Sequence, residues 1–582
     1  MITSFFSYKV KIREAEFVNE EGLIFSHIAA ISFYDKNKVE LAYIEVGYVD
    51  TNYIYELIDQ SKPINLDNCF VENFSLSEYR KSRGIDKKTL VALQGFSARN
   101  SFFDAKVITD FSFADFKNKT VNFENAHFIS GEVSFNAAVF GNGDANFAYT
   151  KFKNGNVDFS NIKSLDGDFI FKNAIFSDGT KDFQYADFGK GGISFVNVEF
   201  SNGDVSFINA NFSHGEASFK IARFGIGKVD FHYAQFGEGD ISFERTEFGN
   251  GTVDFSKVEF GDGKVNFNKA VFENGDITFE GSELGNGRIT FKRTIFGGGR
   301  VSFQLMDFKN ADIIFDNADF GSGDVSFFKS KIHVLSLKSC HMDNYFDLRV
   351  RTCSYIDLSD TVVRDIIDLE PQEFKPEIKI LNFAGMRLLG RIYIDWKGNS
   401  VMQMISNQAQ TSLRSKAEQF RTLKQNFNVT GKYNDEDFSY VEFKRHEQKA
   451  DLEDALKEKP QSALWEYPSY VFKWLIFDKM GLYATSPARV LLSVLFMWFF
   501  FGLIYIILPY GFDTSINSAV GNPDNLSIVS IGLYHSAITF FTIGYGDCYP
   551  YGILRIFSGL EGFTGVFMMS YFTVAFVRKI LR

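Results

Sequence analysis

The run Thr542-Ile543-Gly544-Tyr545-Gly546-Asp547 has the residue types and spacing to coordinate a cation that has shed its water. A short series of backbone carbonyls aimed at one axis can replace a hydration shell at little energetic cost. Neighbouring carbonyls point the same way only if alternate residues take left-handed dihedrals, which glycine adopts with no Cβ penalty. Gly544 and Gly546 hold alternate positions. Thr542 would add a hydroxyl as the innermost oxygen, and Ile543 and Tyr545 would add carbonyls. The Tyr545 ring is expected to pack outward and hold the diameter. A functionless glycine-rich turn has the same composition, so the flanking sequence has to decide.

Val490 to Tyr510 carries no charge from end to end. At about 1.5 Å per residue such a helix crosses a hydrocarbon core of roughly 30 Å. Phe557 to Val577 is a second such stretch, interrupted only by Glu561. Between them lie a polar segment, Gly511 to Ser527, and a short apolar helix, Ile531 to Phe541, leading into the run. Lys473, Lys479 and Arg489 precede the first stretch, and Arg578, Lys579 and Arg582 follow the second. The connecting loop has Asp513 and Asp524 and no cation before the short helix; Arg555 is the exception on that side. This asymmetry predicts both termini in the cytoplasm.

The order of span, re-entrant helix, glycine run and span resembles the two-transmembrane potassium-channel family, over about the last 95 residues. The resemblance implies potassium as the permeant ion, no cofactor, and a homotetramer, because one loop supplies a quarter of a coordination ring. Thr542, Ile543, Gly544 and Tyr545 match the ion-coordinating positions, with Gly546 closing the selectivity filter. Asp547 matches the aspartate that hydrogen-bonds behind it. Bacterial members often carry two tryptophans where this chain has Tyr534 and His535; Tyr534 can still offer a hydroxyl to Asp547. Ile538 and Phe541 replace a glutamate and a threonine of relatives. The selectivity positions stay intact, but inactivation behaviour has no basis for transfer.

Further along, Gly565 falls where the inner helix of relatives bends, with Gly562 as the near alternative. Met568, Met569, Phe572 and Phe576 are candidates to line the inner half as a hydrophobic gate, or else simply pack against helices and lipid. Glu561, an ionisable group inside a span, is expected to support the pore from behind the filter. His535 is either a titrating group or a packed neutral ring.

The remaining sequence shows no catalytic constellation, so no enzyme is expected: eight histidines are dispersed, and no phosphate loop or nucleophile elbow is present. Cys69, Cys340, Cys353 and Cys548 have neither disulfide nor metal spacing. The segment Met1 to Glu16 is charged early and lacks the apolar core of a signal peptide. Both features suit a reducing cytosol before the first span, with Cys548 at the outer pore mouth. A net charge of −11 over 582 residues argues against nucleic acid as a partner.

The 69 phenylalanines are not scattered. They recur at every twelfth position from Phe111 to Phe327, and a second series trails by five from Phe188 to Phe320, with Leu284 in one place. A fixed period over such a length means a solenoid. Small-x-Phe at spacings of five and seven resembles the pentapeptide-repeat family, a four-sided right-handed β-helix. Ala234 with Phe236, and Val229 with Phe231, fit its inward pair. Two extra residues in every second unit, usually including Gly, depart from it. A single repeat is too narrow a coil for two phenyl rings and a valine. Two repeats per turn, about 24 residues, are therefore expected. Roughly nine such turns at about 4.8 Å make a rod of about 45 Å, and turns of one repeat would double it.

The expected organisation is multidomain. Residues 1–92 form a cap of short strands, 93–332 the regular solenoid and 333–400 its irregular end. Residues 401–463 form a helical hairpin, from Leu413, Phe420, Leu423 and Phe427, a break at Gly431, and Tyr440 with Phe443 beyond it. Residues 464–487 form an interfacial helix of aromatics and lysines lying on the bilayer, and 488–582 the pore. The expected function is a potassium-selective channel of a bacterial-type inner membrane. Its second span ends close to the last residue, so control is expected from a cytoplasmic solenoid that takes an unknown ligand or protein. The alternative is a membrane-anchored scaffold whose solenoid binds a partner and whose pore is non-conducting or weakly selective.

Overall fold

A computed structural model describes residues 5–19, 22–153, 155–519, 521 and 526–581. Asp524 and Arg582, counted above in the charge asymmetry, lie outside them. The chain divides into two compact units, residues 1–408 and 409–582.

The first unit is a parallel β-solenoid of about 14 turns, one of its sheets holding 14 strands. Each strand pairs with its counterpart two repeats further on: Val229 with Val253, Val253 with Ile277, and Ile277 with Val301. Two repeats per turn is thus the observed coil. Its four sides follow one another at half-repeat intervals, as at Ala217, Arg223, Val229 and Gln235. At about 4.8 Å per turn the stack is about 60 Å tall. It exceeds the expected nine turns because coils already begin at Ile64 and continue to Asn382.

The phenylalanine period explains this coil. Phe243 stacks on Phe219 of the preceding turn and Phe267 of the next, at 4.8 and 4.6 Å with planes within 7°. It meets Phe231 and Phe255, from the opposite side, edge to face at 5.7 and 5.5 Å. Such pairs contribute beyond their buried area. Phe224, Phe248 and Phe272 build one of the trailing columns. The corner after each main phenylalanine is a reverse turn: Ala234 N–H donates to Phe231 O at 2.8 Å, with Tyr233 at φ +59°. At another corner, a Cβ on Gly251 would lie 1.5 Å from the Gly227 carbonyl oxygen of the coil below, so only glycine fits.

Strands β1 (Ser7–Val18), β2 (Ile24–Tyr34) and β3 (Glu40–Val49) form an antiparallel meander, longer than the expected strands. β3 then pairs in parallel with Cys69–Glu72, so the meander extends one side of the solenoid. Helices α1 (Thr51–Asp59) and α2 (Leu76–Ser82) sit in the first connections. Helix α3 (Val401–Ser406), expected to belong to the hairpin, packs on the last coil instead with Val401, Met404 and Ile405 buried, and just before it Asn399 Nδ2 donates to Leu369 O at 2.8 Å.

The second unit begins with the hairpin of α4 (Leu413–Val429) and α5 (Tyr433–Glu458), turned at Gly431 with φ +74°. Phe420, Leu423 and Phe427 are buried between them. Helix α6 (Ala463–Lys473) exposes Trp465, Tyr467 and Phe472 and continues as a π-helical turn, Trp474–Lys479. Three apolar helices follow: α7 (Pro487–Ile507), α8 (Ile528–Phe540) and α9 (Leu554–Ile580).

Candidate functional site: the pore helices and the glycine run

Helices α7 and α9 are long and apolar enough to cross a membrane, α7 with the short 3-10 turn to Tyr510 that prolongs it. α8 is too short and lies between them in sequence. Pro487 stands at the first turn of α7, where its missing N–H costs nothing. Ser527 caps α8 by accepting from Ser530 N–H at 3.2 Å. Ser515–Ser518 runs antiparallel to Cys548–Tyr551, closing the loop around the run.

The run hangs from the C-terminal end of α8. The N–H groups of Ile543 and Gly544 both donate to Ile538 O, at 2.9 and 3.2 Å. Thr542, Gly544 and Gly546 have φ of +56°, +62° and +76°. Left-handed residues therefore alternate through it, including one position, Thr542, where a side chain makes that conformation costly. A Cβ on Gly544 or Gly546 would meet nothing within 4 Å, so glycine is required there by dihedral and not by space. The Thr542 hydroxyl donates to Phe541 O at 2.7 Å. Tyr545 is 72% exposed, so the outward packing expected of its ring is absent within one subunit.

Behind the run, Tyr534 Oη donates to Asp547 Oδ2 at 2.8 Å. Asp547 O accepts from Ala519 N–H at 2.7 Å, tying the residue to the loop before α8. Glu561 is fully buried and joins all three helices: it accepts from Tyr505 Oη of α7 at 2.6 Å and Ser536 Oγ of α8 at 2.5 Å. Ser536 Oγ is also 2.8 Å from Trp498 O. His535 is buried edge-on to Tyr505 at 4.9 Å, its Nε2 3.4 Å from Ser558 Oγ. Tyr505 and Ser536 escaped the sequence reading. The available signal was a phenol and a hydroxyl facing a carboxyl across otherwise apolar helices.

Small residues let these helices approach. A Cβ on Gly532 would lie 2.8 Å from Ile506, and one on Gly502 2.7 Å from Leu533. A Cβ on Gly565 would lie 2.0 Å from Phe540 O, so this glycine is a close-packing position between α9 and the end of α8. α9 is helical without interruption through Gly562 and Gly565. Met568 is buried against Val490, Val494 and Phe540, which removes it from the expected gate lining. It points into the subunit's own core because it lies three positions beyond Gly565 on the same face. Phe572 is partly buried, while Met569 and Phe576 are exposed. Cys548 is half-buried beside Asp547.

Residues 493–582 match the family described as "Ion channel". The C-terminal part of this chain is an ion-channel domain. The match spans most of α7, the short helix α8, the glycine run and α9, and leaves the solenoid outside it. No curated protein and no solved structure matches the chain.

Proposed function

We propose that this chain is one subunit of a homotetrameric potassium channel, with Thr542, Ile543, Gly544, Tyr545 and Gly546 as its selectivity filter. The observation that carries the reading is the alternation of left-handed φ at Thr542, Gly544 and Gly546, directly after a short helix between two span-length helices. Four such runs around an axis present stacked rings of carbonyl oxygens that stand in for the water of a potassium ion. Asp547, Tyr534, Glu561 and His535 brace the run from behind, and Phe572, Phe576 and Met569 are the candidates to narrow the inner end. Potassium is the permeant ion and no cofactor takes part. The channel lies in a cell membrane with both termini in the cytoplasm. α6 rests at the lipid interface, where exposed Trp465, Tyr467 and Phe472 suit it. The solenoid, of pentapeptide-repeat type, is the cytoplasmic regulatory element and takes a ligand or protein partner.

Complementation of a potassium-uptake-deficient host tests this, with Gly546→Ala as control. Growth restored by the wild type and not by the variant supports conduction through this run. Equal behaviour of the two would instead support the reading as a membrane-anchored scaffold.

A further inference from the structure

Helix α5 meets the last turn of α9 through two ion pairs made by one carboxylate. Asp437 Oδ1 lies 3.2 Å from Arg578 Nη2, and its Oδ2 lies 3.1 Å from Lys579 Nζ. The Asp437 side chain is 10% exposed, so this contact is screened far less than a surface pair. The Arg578 guanidinium lies over the Tyr440 ring at 4.4 Å and also reaches Tyr483 O at 3.4 Å. Asn434 Oδ1 accepts from Lys579 Nζ at 3.4 Å. The pairing also matches the helix dipoles, since Asp435 and Glu436 open α5 while Arg578 and Lys579 close α9.

The same stripe of α5 holds the entry to the first span. Arg445 makes a two-pronged contact with buried Asp478, Nη2 to Oδ1 at 2.7 Å and Nε to Oδ2 at 3.1 Å. Gln448 Oε1 accepts from Tyr483 Oη at 3.0 Å. The segment between these anchors is strained. Leu482, Tyr483 and Ala484 have φ of +47°, +56° and +61°, three consecutive left-handed residues without a glycine. Each costs about 1–2 kcal/mol, and such conformations persist only where the surroundings over-determine them. Those surroundings include α9: Tyr571 Oη accepts from Ala484 N–H at 3.0 Å and donates to Phe477 O at 3.3 Å. A Cβ on Gly481 would lie 2.5 Å from the Tyr571 ring, so the strained turn wraps that side chain closely.

From this geometry we infer that α5 is a latch on the inner helix, with Asp437 as its bolt on Arg578 and Lys579, and that the channel opens when the bolt is released. The inference rests on the channel reading above. While the bolt holds, the end of α9 cannot move away from α5 and the first-span entry without breaking both ion pairs. Phe572 and Phe576, within two turns before the bolted cations, stay where α9 holds them. Release lets the left-handed turn relax, so the strain favours the open side of the equilibrium. Asp437 is a positioning residue: it acts through α9 and touches no ion.

Single-channel recording of the full chain in bilayers tests the latch. Asp437→Asn is expected to raise the open-to-closed ratio by about tenfold, within the usual range of coupling between sites. Arg578→Gln with Lys579→Gln is expected to do the same, and all three changes together no more than either set alone. Asp437→Glu, which keeps the charge, is expected to stay near wild type. An unchanged ratio in Asp437→Asn, or additive shifts, would overturn the latch. Hydrogen exchange of the backbone amides of Val574 to Ile580 reads the same contact without current: Asp437→Asn should exchange faster than wild type, and equal exchange would overturn the proposal. Faster exchange in a chain that passes no current would keep the latch and remove the channel reading.

Discussion

Tyr534 and Asp547 are joined by a 2.8 Å hydrogen bond that ties the middle of α8 to the residue immediately after Gly546. The donor is a neutral phenol and the acceptor a carboxyl, a bond of the stronger class, worth about 1.5–3 kcal/mol. Tyr534→Phe removes it while keeping the ring. The expected result is a channel that still forms but dwells less in its conducting state, with mean open time shortened about tenfold. Single-channel dwell times check this, and an unchanged open time would show that Asp547 is held by the backbone alone.

Glu561 has two hydroxyl donors and no exposure to share with water. Glu561→Ala leaves the buried Tyr505 hydroxyl without its acceptor, at about 1–3 kcal/mol, while Ser536 Oγ can still donate to Trp498 O at 2.8 Å. Glu561→Gln keeps an acceptor oxygen in place. Thermal melting of the detergent-solubilised protein should therefore rank wild type and Glu561→Gln close together, with Glu561→Ala well below.

Gly565 faces Phe540 O with no room for a methyl group. Gly565→Ala should push α9 off the end of α8 and abolish conduction. Gly562→Ala, where a Cβ meets nothing within 4 Å, should be tolerated. Ion flux from reconstituted vesicles compares them, and equal loss in both would point to a need for backbone freedom instead of close packing.

Phe243 is stacked on both sides in the solenoid core. Phe243→Ala removes a ring that its neighbours cannot replace and should cost about 3–5 kcal/mol. Phe243→Leu, closer in volume, should cost less. Protease resistance of the solenoid, compared across the three proteins, measures the order.

His127 lies in a coil of the first unit, stacked on Phe102 at 4.8 Å. Burial, helped by the nearby Lys151 charge, pushes its pKa down to about 3. The folded state thus prefers the neutral ring, and the unfolded chain binds the extra proton. Stability from this site is fully present above the ordinary histidine value of about 6.5 and is lost as pH falls from there toward 3. The melting temperature of the full chain should drop more between pH 7 and pH 5 in wild type than in His127→Phe. An equal drop in the two would mean that His127 is protonated in the folded state.

Much of this architecture is written locally. A phenylalanine at every twelfth position, a second series five behind it and small residues between require a coil that stacks rings on rings, and the two-repeat register follows from ring size. The dihedral demands of Gly544 and Gly546 and the two apolar stretches are equally local. These signals survive in the sequence because each depends on neighbours at short, fixed spacing. Other features depend on which distant surfaces meet. The first coil begins at Ile64, inside the segment read as a cap, because β3 happens to continue one solenoid side. Met568 turns into the core because Gly565 brings its face of α9 against α8. Glu561 finds Tyr505 56 positions away and Asp437 finds Arg578 141 positions away. No periodicity encodes such pairs. Their partners are chosen by how helices pack, so the tertiary structure alone decides what braces the glycine run and what holds the end of α9.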